Sequence, residues 1–280
     1  MKMRSPKKDD AEQMKKFATL LTLAGLIMTA PAHANSYNLG YDVYAGGFEA
    51  VEANYLLSGE PDDNLTVQVQ AKTGGFIGKL FPWSGQYTTI GKFDGDVFIP
   101  AKHTSTSVWR NKPKQKELVF EDGKIKSYIE RYKDAEREKD NLKPNLVSNA
   151  VDLLSAVMIA VKQVENTGEC NTAATAFDGK RKFNIQLTNS KQDQINSPEY
   201  SIYNGPALKC TISVLPLEGF SEDDQGKGWM AIQNHTAERG KLPEIWFASL
   251  KEKGPLLPVR MEINSSYGTV VAHLSKLDVK

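Results

Sequence analysis

"NLVSNAVDLLSAVMIAVKQVEN", residues Asn145 to Asn166, is the one long stretch of the chain whose apolar residues recur at helical spacing. Pro144 precedes it, Asn145 or Ser148 can cap it, and Gly168 follows, so the helix is expected over about 145–166. Leu146, Val147, Ala150, Val151, Leu153, Leu154, Val157, Met158, Ile159 and Val161 cover most of its circumference, which predicts burial on nearly every side. Asp152, Ser155 and Lys162 interrupt the apolar run before it reaches membrane-spanning length. Such a helix is expected to plug or cover a concave sheet.

The sequence on either side supplies that sheet. "LTVQVQAK", Leu65 to Lys72, alternates apolar and polar residues, the pattern of a strand with one buried face. Gly46-Gly47, Asp94-Gly95, Asp122-Gly123 and Asp178-Gly179 each separate two strand-like runs. Tight two-residue turns join antiparallel strands, whereas parallel strands need long crossovers. The expected fold is mainly β: an open or strongly curved antiparallel β-barrel wrapped around one long buried α-helix. The charged run "RYKDAEREKDNLKP" before the helix is an exposed connection, the place where mobility is expected.

The first thirty-four residues have the pattern of a signal peptide: Lys15 and Lys16, an apolar run from Phe17 to Thr29, and small residues with cleavage expected after Ala34. The polar lead-in before Met14 is atypical, and Met14 is the more natural start. Residues 35–280 then form a single domain, exported to the periplasm and not spanning a membrane once cleaved. Removing the segment's six basic and three acidic residues from totals of 35 and 34 leaves 29 and 31, a net charge of −2. That balance offers no basic stripe for nucleic acid.

Two cysteines, Cys170 and Cys210, are expected to pair in an oxidising compartment. A loop of about forty residues closed in this way stabilises by about 4 kcal/mol on the chain-entropy account. The bridge would tie the start of the first segment after the helix to the strand beside it. The segment Asn189 to Gly205 lengthens the hairpin between the cysteines.

Catalytic and metal signatures are weak. His103, His235 and His273 lie far apart with no His-x-x-x-His spacing, so no metal site and no cofactor are expected. His273 sits on an alternating strand. His235, in a polar loop beside Glu238 and Arg239, is the best-placed acid or base, but a hydrolase built on it lacks a positioned partner. Ser84 has no nucleophile-elbow context, and "TGGFIGK", Thr73 to Lys79, has the composition of a flexible loop rather than of a helix entry.

Two surface features are candidates for binding. Phe76, Phe81, Trp83 and Tyr87, within "GGFIGKLFPWSGQY", make that segment more apolar than an ordinary exposed loop, as expected of a cavity lip or partner contact. Lys180, Arg181 and Lys182 form a basic turn in which Arg181 can fork onto a carboxylate or a lipid phosphate. The plainer account of that turn is a solvated edge that discourages strand-to-strand aggregation.

"AVDLLSAVM" (Ala150 to Met158), "GECNTAATAFDGKRKFNIQL" (Gly168 to Leu187) and "LPVRMEIN" (Leu257 to Asn264), in that order, resemble a family of exported bacterial proteins known as domain of unknown function 3108. The resemblance covers nearly the whole chain after residue 34 and brings no activity with it. By analogy it implies a fold like the open barrels of periplasmic lipoprotein carriers and envelope-integrity proteins, and an envelope role with an apolar concavity. The expected function is non-enzymatic cell-envelope maintenance, with a lipid, a lipoprotein or an envelope protein as the bound partner. The alternatives are a pure interaction module whose cavity its own helix fills, and a hydrolase.

Overall fold

The computed structural model describes residues 36–132, 135–138, 142–226, 228–251, 254–265 and 268–280. The expected signal segment 1–34 and part of the charged connection 131–144 lie outside the described residues. Fourteen strands form one antiparallel sheet in the order β8-β7-β6-β5-β4-β3-β2-β1-β14-β13-β12-β11-β10-β9. The first half comprises β1 (Ser36–Ala45), β2 (Phe48–Glu60), β3 (Asn64–Thr73), β4 (Trp83–Asp94), β5 (Val97–Trp109), β6 (Lys112–Glu121), β7 (Lys124–Tyr132) and β8 (Ala135–Glu138). The second comprises β9 (Thr172–Phe177), β10 (Lys182–Ile195), β11 (Gly205–Glu218), β12 (Glu244–Ser249), β13 (Leu256–Ser265) and β14 (Gly268–Val279). Pairing of β1 with β14 joins the halves.

The turns do what their residues allow. Gly46 and Gly47 have φ of 58° and 88°, and Asp122 and Gly123 have 50° and 71°, the left-handed pairs that match the twist of a two-residue hairpin. In β3 the alternation buries Leu65 and Val67, as expected. The sheet curls without closing: β8 and β9 are its ends and do not pair. The ends nevertheless meet through side chains, where the Tyr128 and Phe177 rings stand edge to face with centroids 6.1 Å apart.

The helical segment differs from expectation. Residues 144–147 form a single turn, α2 (Pro144–Val147), following a short helix α1 (Gly75–Leu80) earlier in the chain; the main helix, α3 (Leu153–Thr167), begins eight residues later than the sequence suggests. Asn149 adopts φ 53°, which breaks the helical path. Val151 then exchanges backbone hydrogen bonds with Thr175 and Phe177, covering the edge of β9. The cap is neither Asn145 nor Ser148 but Asp152, whose carboxylate accepts from the amides of Leu154 and Ser155. Gly168 ends α3 in the left-handed conformation, as expected.

Burial is narrower than expected as well. Ala156, Ala160 and Val164, four residues apart, form a buried stripe, Leu154 is buried on a different side of the helix, and Leu153 and Val157 are exposed. The stripe packs with Ala174, Phe183, Ile185, Leu187, Ile212 and Phe247 of the second half. The alanines allow close approach, and Leu154 and Val164 each contribute about 2 kcal/mol of apolar burial. Cys170 and Cys210 are bonded within this core, with Cα atoms 5.6 Å apart. Cys210 lies on β11, one strand beyond the neighbour of β9. The bridge therefore crosses β10 at a register shift between Thr188 and Lys191, where Asn189 has φ 55° and the Ser190 hydroxyl accepts from the Cys170 amide.

Candidate functional site

The inner face of the first half is defined by what α3 touches. Thr89 on β4 donates to Asp152 at 2.7 Å, His103 Nδ1 on β5 lies 3.0 Å from the same carboxylate, and Tyr55 on β2 donates to Met158 Sδ at 3.5 Å. Further along, Lys162 stands 5.9 Å above the Phe93 ring. Phe93 lies beside the β4–β5 turn, so α3 runs from mid-sheet toward that end. Strand alternation puts Trp83, Gly85 and Tyr87 on the same face of β4 as Thr89, and Ser105, Ser107 and Trp109 on the same face of β5 as His103. These positions lead away from the start of α3, toward the opposite end of the concavity.

At that end lie the aromatic residues Phe76, Phe81, Trp83 and Tyr87. Trp83 and Tyr87 fold together over Gly85: a Cβ there would meet the Trp83 ring at 2.8 Å and the Tyr87 ring at 2.9 Å. The Trp83 indole N–H donates to Ser107 at 3.1 Å, and burial raises the Tyr87 pKa. Trp109 lies opposite Trp83 in the β4–β5 register. Phe76 and Phe81 do not sit on a flexible loop. They belong to α1 and its C-cap, held by the Thr73 hydroxyl, which donates to the Phe81 carbonyl and accepts from the Trp83 amide. Gly78 is required here, because a Cβ would come 2.7 Å from the Thr73 carbonyl oxygen. The glycine-rich composition that suggests a loop is thus a packing requirement of a tight helical turn.

Phe48, Phe76, Leu80, Phe81, Trp109 and Tyr132 are 45–73% exposed. They stand at the β1–β2 turn, on or after α1, beside the β5–β6 turn and at the end of β7, which the antiparallel order places at one end of the sheet. Val97, also exposed, lies at the other end, at the β4–β5 turn. A group of this size at one rim is the kind of feature that marks a contact surface, whereas isolated exposed apolar residues are ordinary.

The basic turn is committed within the fold. Arg181 donates to the Asp178 carboxylate through Nε at 2.8 Å and Nη2 at 2.6 Å, and its guanidinium lies 5.4 Å from the Phe220 ring. Lys180 pairs with Asp224 at 3.0 Å, and Lys182 donates to the Ser148 carbonyl at 2.7 Å. Asp224 lies in α4 (Glu222–Gln225), where the Ser221 hydroxyl and amide, together with Lys180, hold its carboxyl below the usual range. The turn stays partly solvated, with the Lys180 side chain 61% exposed, and its side chains also tie β9–β10 to α2 and α4.

The lip and the basic turn are separate sites, and sequence reasoning missed a third grouping. Thr89, His103, Asp152 and Ser155 are buried together, with Thr89 Oγ1 2.8 Å from His103 Nδ1 and Ser155 donating to Asp152. Burial alone would raise the Asp152 pKa; hydrogen bonds from His103, Ser155 and Thr89, together with the His103 charge, outweigh it and lower the pKa. An Asp–His pair beside two hydroxyls suggests acid–base chemistry. Here, however, Thr89, Asp152 and Ser155 have no solvent exposure and the carboxylate caps a helix, so the group is a latch between α3 and the sheet. His103 and Asp152 are 49 residues apart, and no local motif announces the contact.

His235 lies not in a loop but in α5 (Gly228–Glu238), and among the described residues no hydrogen bond or ion pair joins it to Glu238. His273 is buried on β14 and stacks on Tyr200 with centroids 5.5 Å apart; burial and Arg260 lower its pKa. No group of three potential metal ligands occurs among the described residues, and no described helix is long and apolar enough to cross a membrane.

No curated protein matches the chain. A solved structure of a β-barrel-like protein of the domain of unknown function DUF1849, from Brucella abortus, is similar with a TM-score of 0.51 at 13% identity, covering 89% of this chain and 99% of that one. This likeness concerns the fold alone. The family model of DUF3108, a protein of unknown function, matches residues 40–275, and the chain belongs to that family.

Proposed function

We propose that this is a non-enzymatic periplasmic protein of cell-envelope maintenance that takes an apolar ligand, a lipid or the lipid-bearing part of a lipoprotein, at the open end of its half barrel. The observation that carries this reading is the rim of Phe48, Phe76, Leu80, Phe81, Trp109 and Tyr132, next to the inward-facing shelf of Trp83 and Tyr87. Aromatic side chains supply large contact area at low entropic cost, and the shelf offers indole and phenol groups to the polar end of an amphiphile. Export rests on the signal-like pattern of residues 1–34.

A second reading, an interaction module that grips an envelope protein with the same rim, is favoured by α3, which occupies the other part of the concavity. Mass spectrometry of organic extracts separates the two. Wild-type protein purified from the periplasm is expected to carry lipid near one equivalent, and the double variant Phe76→Ser with Phe81→Ser to carry little. A lipid-free extract, together with an envelope protein partner lost in that variant, decides for the second reading.

A further inference from the structure

The two ends of the curled, unclosed sheet flank a cavity of about 310 Å³ between β6–β7 and the β9–β10 turn. On β6 the residues Phe120, Leu118, Lys116, Lys114 and Lys112 share one face. Phe120 and Leu118 join Tyr128 and Phe177 in a small apolar core, and Lys116 and Lys114 line the cavity above it. Tyr128 and Glu130 on β7 and the turn residues opposite complete the lining.

Charge pairing within this lining is incomplete. Lys114 pairs with Glu130, Lys180 with Asp224, and Arg181 with Asp178. Four cations against three carboxylates leave one positive charge. The residual cation is Lys116: its ammonium donates to the Asp178 carbonyl and has no carboxylate within ion-pair distance among the described residues. Burial lowers its pKa, with Asp178 and Glu130 partly opposing. A half-buried ammonium with no carboxylate at contact distance is under-compensated, and an arriving anion reduces that cost.

We propose that this seam cavity binds a monoanionic oxyanion, a phosphodiester or carboxylate group, with Lys116 as its counter-charge. One residual charge suits a monoanion, and a phosphate dianion would leave an uncompensated negative charge among three carboxylates. The Lys114 end of the cavity pairs in register with Tyr132 of the apolar rim. An amphiphile with an acidic headgroup could therefore satisfy both regions, although the anion site does not depend on the rim.

The test is calorimetric titration of the purified protein with diethyl phosphate and with dihexanoyl-phosphatidylglycerol below its micelle concentration. Saturable one-site binding of diethyl phosphate is expected, weakened about tenfold or more by Lys116→Gln and unaffected by Lys112→Gln. Glu130→Gln, which adds net positive charge, is expected to tighten binding, an outcome that misfolding cannot imitate. Tighter binding of the lipid, with the gain lost in the Phe76→Ser, Phe81→Ser variant, identifies a headgroup as the source. Equal affinities identify a soluble oxyanion and leave the site standing even if the rim holds no lipid. Absence of saturable binding by both compounds, or equal losses in Lys116→Gln and Lys112→Gln, overturns the proposal.

Discussion

The two ends of the concavity are built from the same strands and used differently. Toward the β4–β5 turn, α3 lies on the sheet, and the second half of the sheet adds the Cys170–Cys210 bridge and the Phe183 and Ile185 side chains packed against the helix alanines. Toward the β5–β6 turn, the same inward-facing register carries Trp83, Tyr87 and Trp109, and the rim beyond it is exposed. On the function proposed above, stability and recognition fall to opposite ends of one ladder. Residues at the filled end should govern unfolding, and those at the open end should be dispensable for it.

The largest effect belongs to the filled end. Replacing both cysteines with serine is expected to lower unfolding free energy by about 4 kcal/mol on the loop-entropy account, measured by urea denaturation. A loss below about 1 kcal/mol would show that the packing of α3 holds this end without the bridge.

The latch comes next. Asp152→Ala removes a helix cap and strands buried donors, with an expected cost of roughly 3 kcal/mol, whereas Asp152→Asn should cost less because it keeps an acceptor for the helix amides. The sign of the pH effect follows from the lowered Asp152 pKa. The unfolded chain takes up the proton first as pH falls, so the carboxylate's contribution is complete above the ordinary Asp value of 3.8 and is lost as pH falls through the lower folded value. Denaturation midpoints followed from pH 5 downward should fall more steeply in wild type than in Asp152→Asn. Parallel curves would remove Asp152 from the acid response.

The smallest stability effect is expected at the open end. Phe76→Ser with Phe81→Ser should leave the thermal midpoint nearly unchanged, within about 0.5 kcal/mol per site, since neither side chain is buried. A large loss would mean that α1 supports the sheet, and the division between the ends would fail.

Much of the sheet was legible because its signals are local. Alternation identified β3, and the Gly46-Gly47 and Asp122-Gly123 pairs identified hairpins, each within a few residues. The helix was legible in kind but not in start, because Asn145, Ser148 and Asp152 are all competent caps. The choice among them was made by Val151, whose backbone bonds to the edge of β9 hold the preceding segment out of the helix. The lip was visible as composition, and its aromatic shelf required the packing over Gly85. The basic turn could be seen, but not its partners: Asp224 lies 44 residues from Lys180, and the Lys116 ammonium reaches Asp178 across 62. Such contacts arise where the two ends of a curled sheet meet, and sequence spacing carries no trace of that geometry.

The pairing of β1 with β14 sets the timing of assembly. Ser36 and Lys280 exchange backbone hydrogen bonds, so the central ladder of the sheet joins residues separated by most of the chain. Every other strand pair joins near neighbours in sequence and can zip locally, while this one carries the greatest loop-closure cost. Each half can form as a meander of its own, but they cannot become one sheet until residues 268–279 are available. A chain emerging gradually from its N-terminus would hold β1 with one unpaired edge until its last strand is made, an edge open to wrong pairing for the whole of that time.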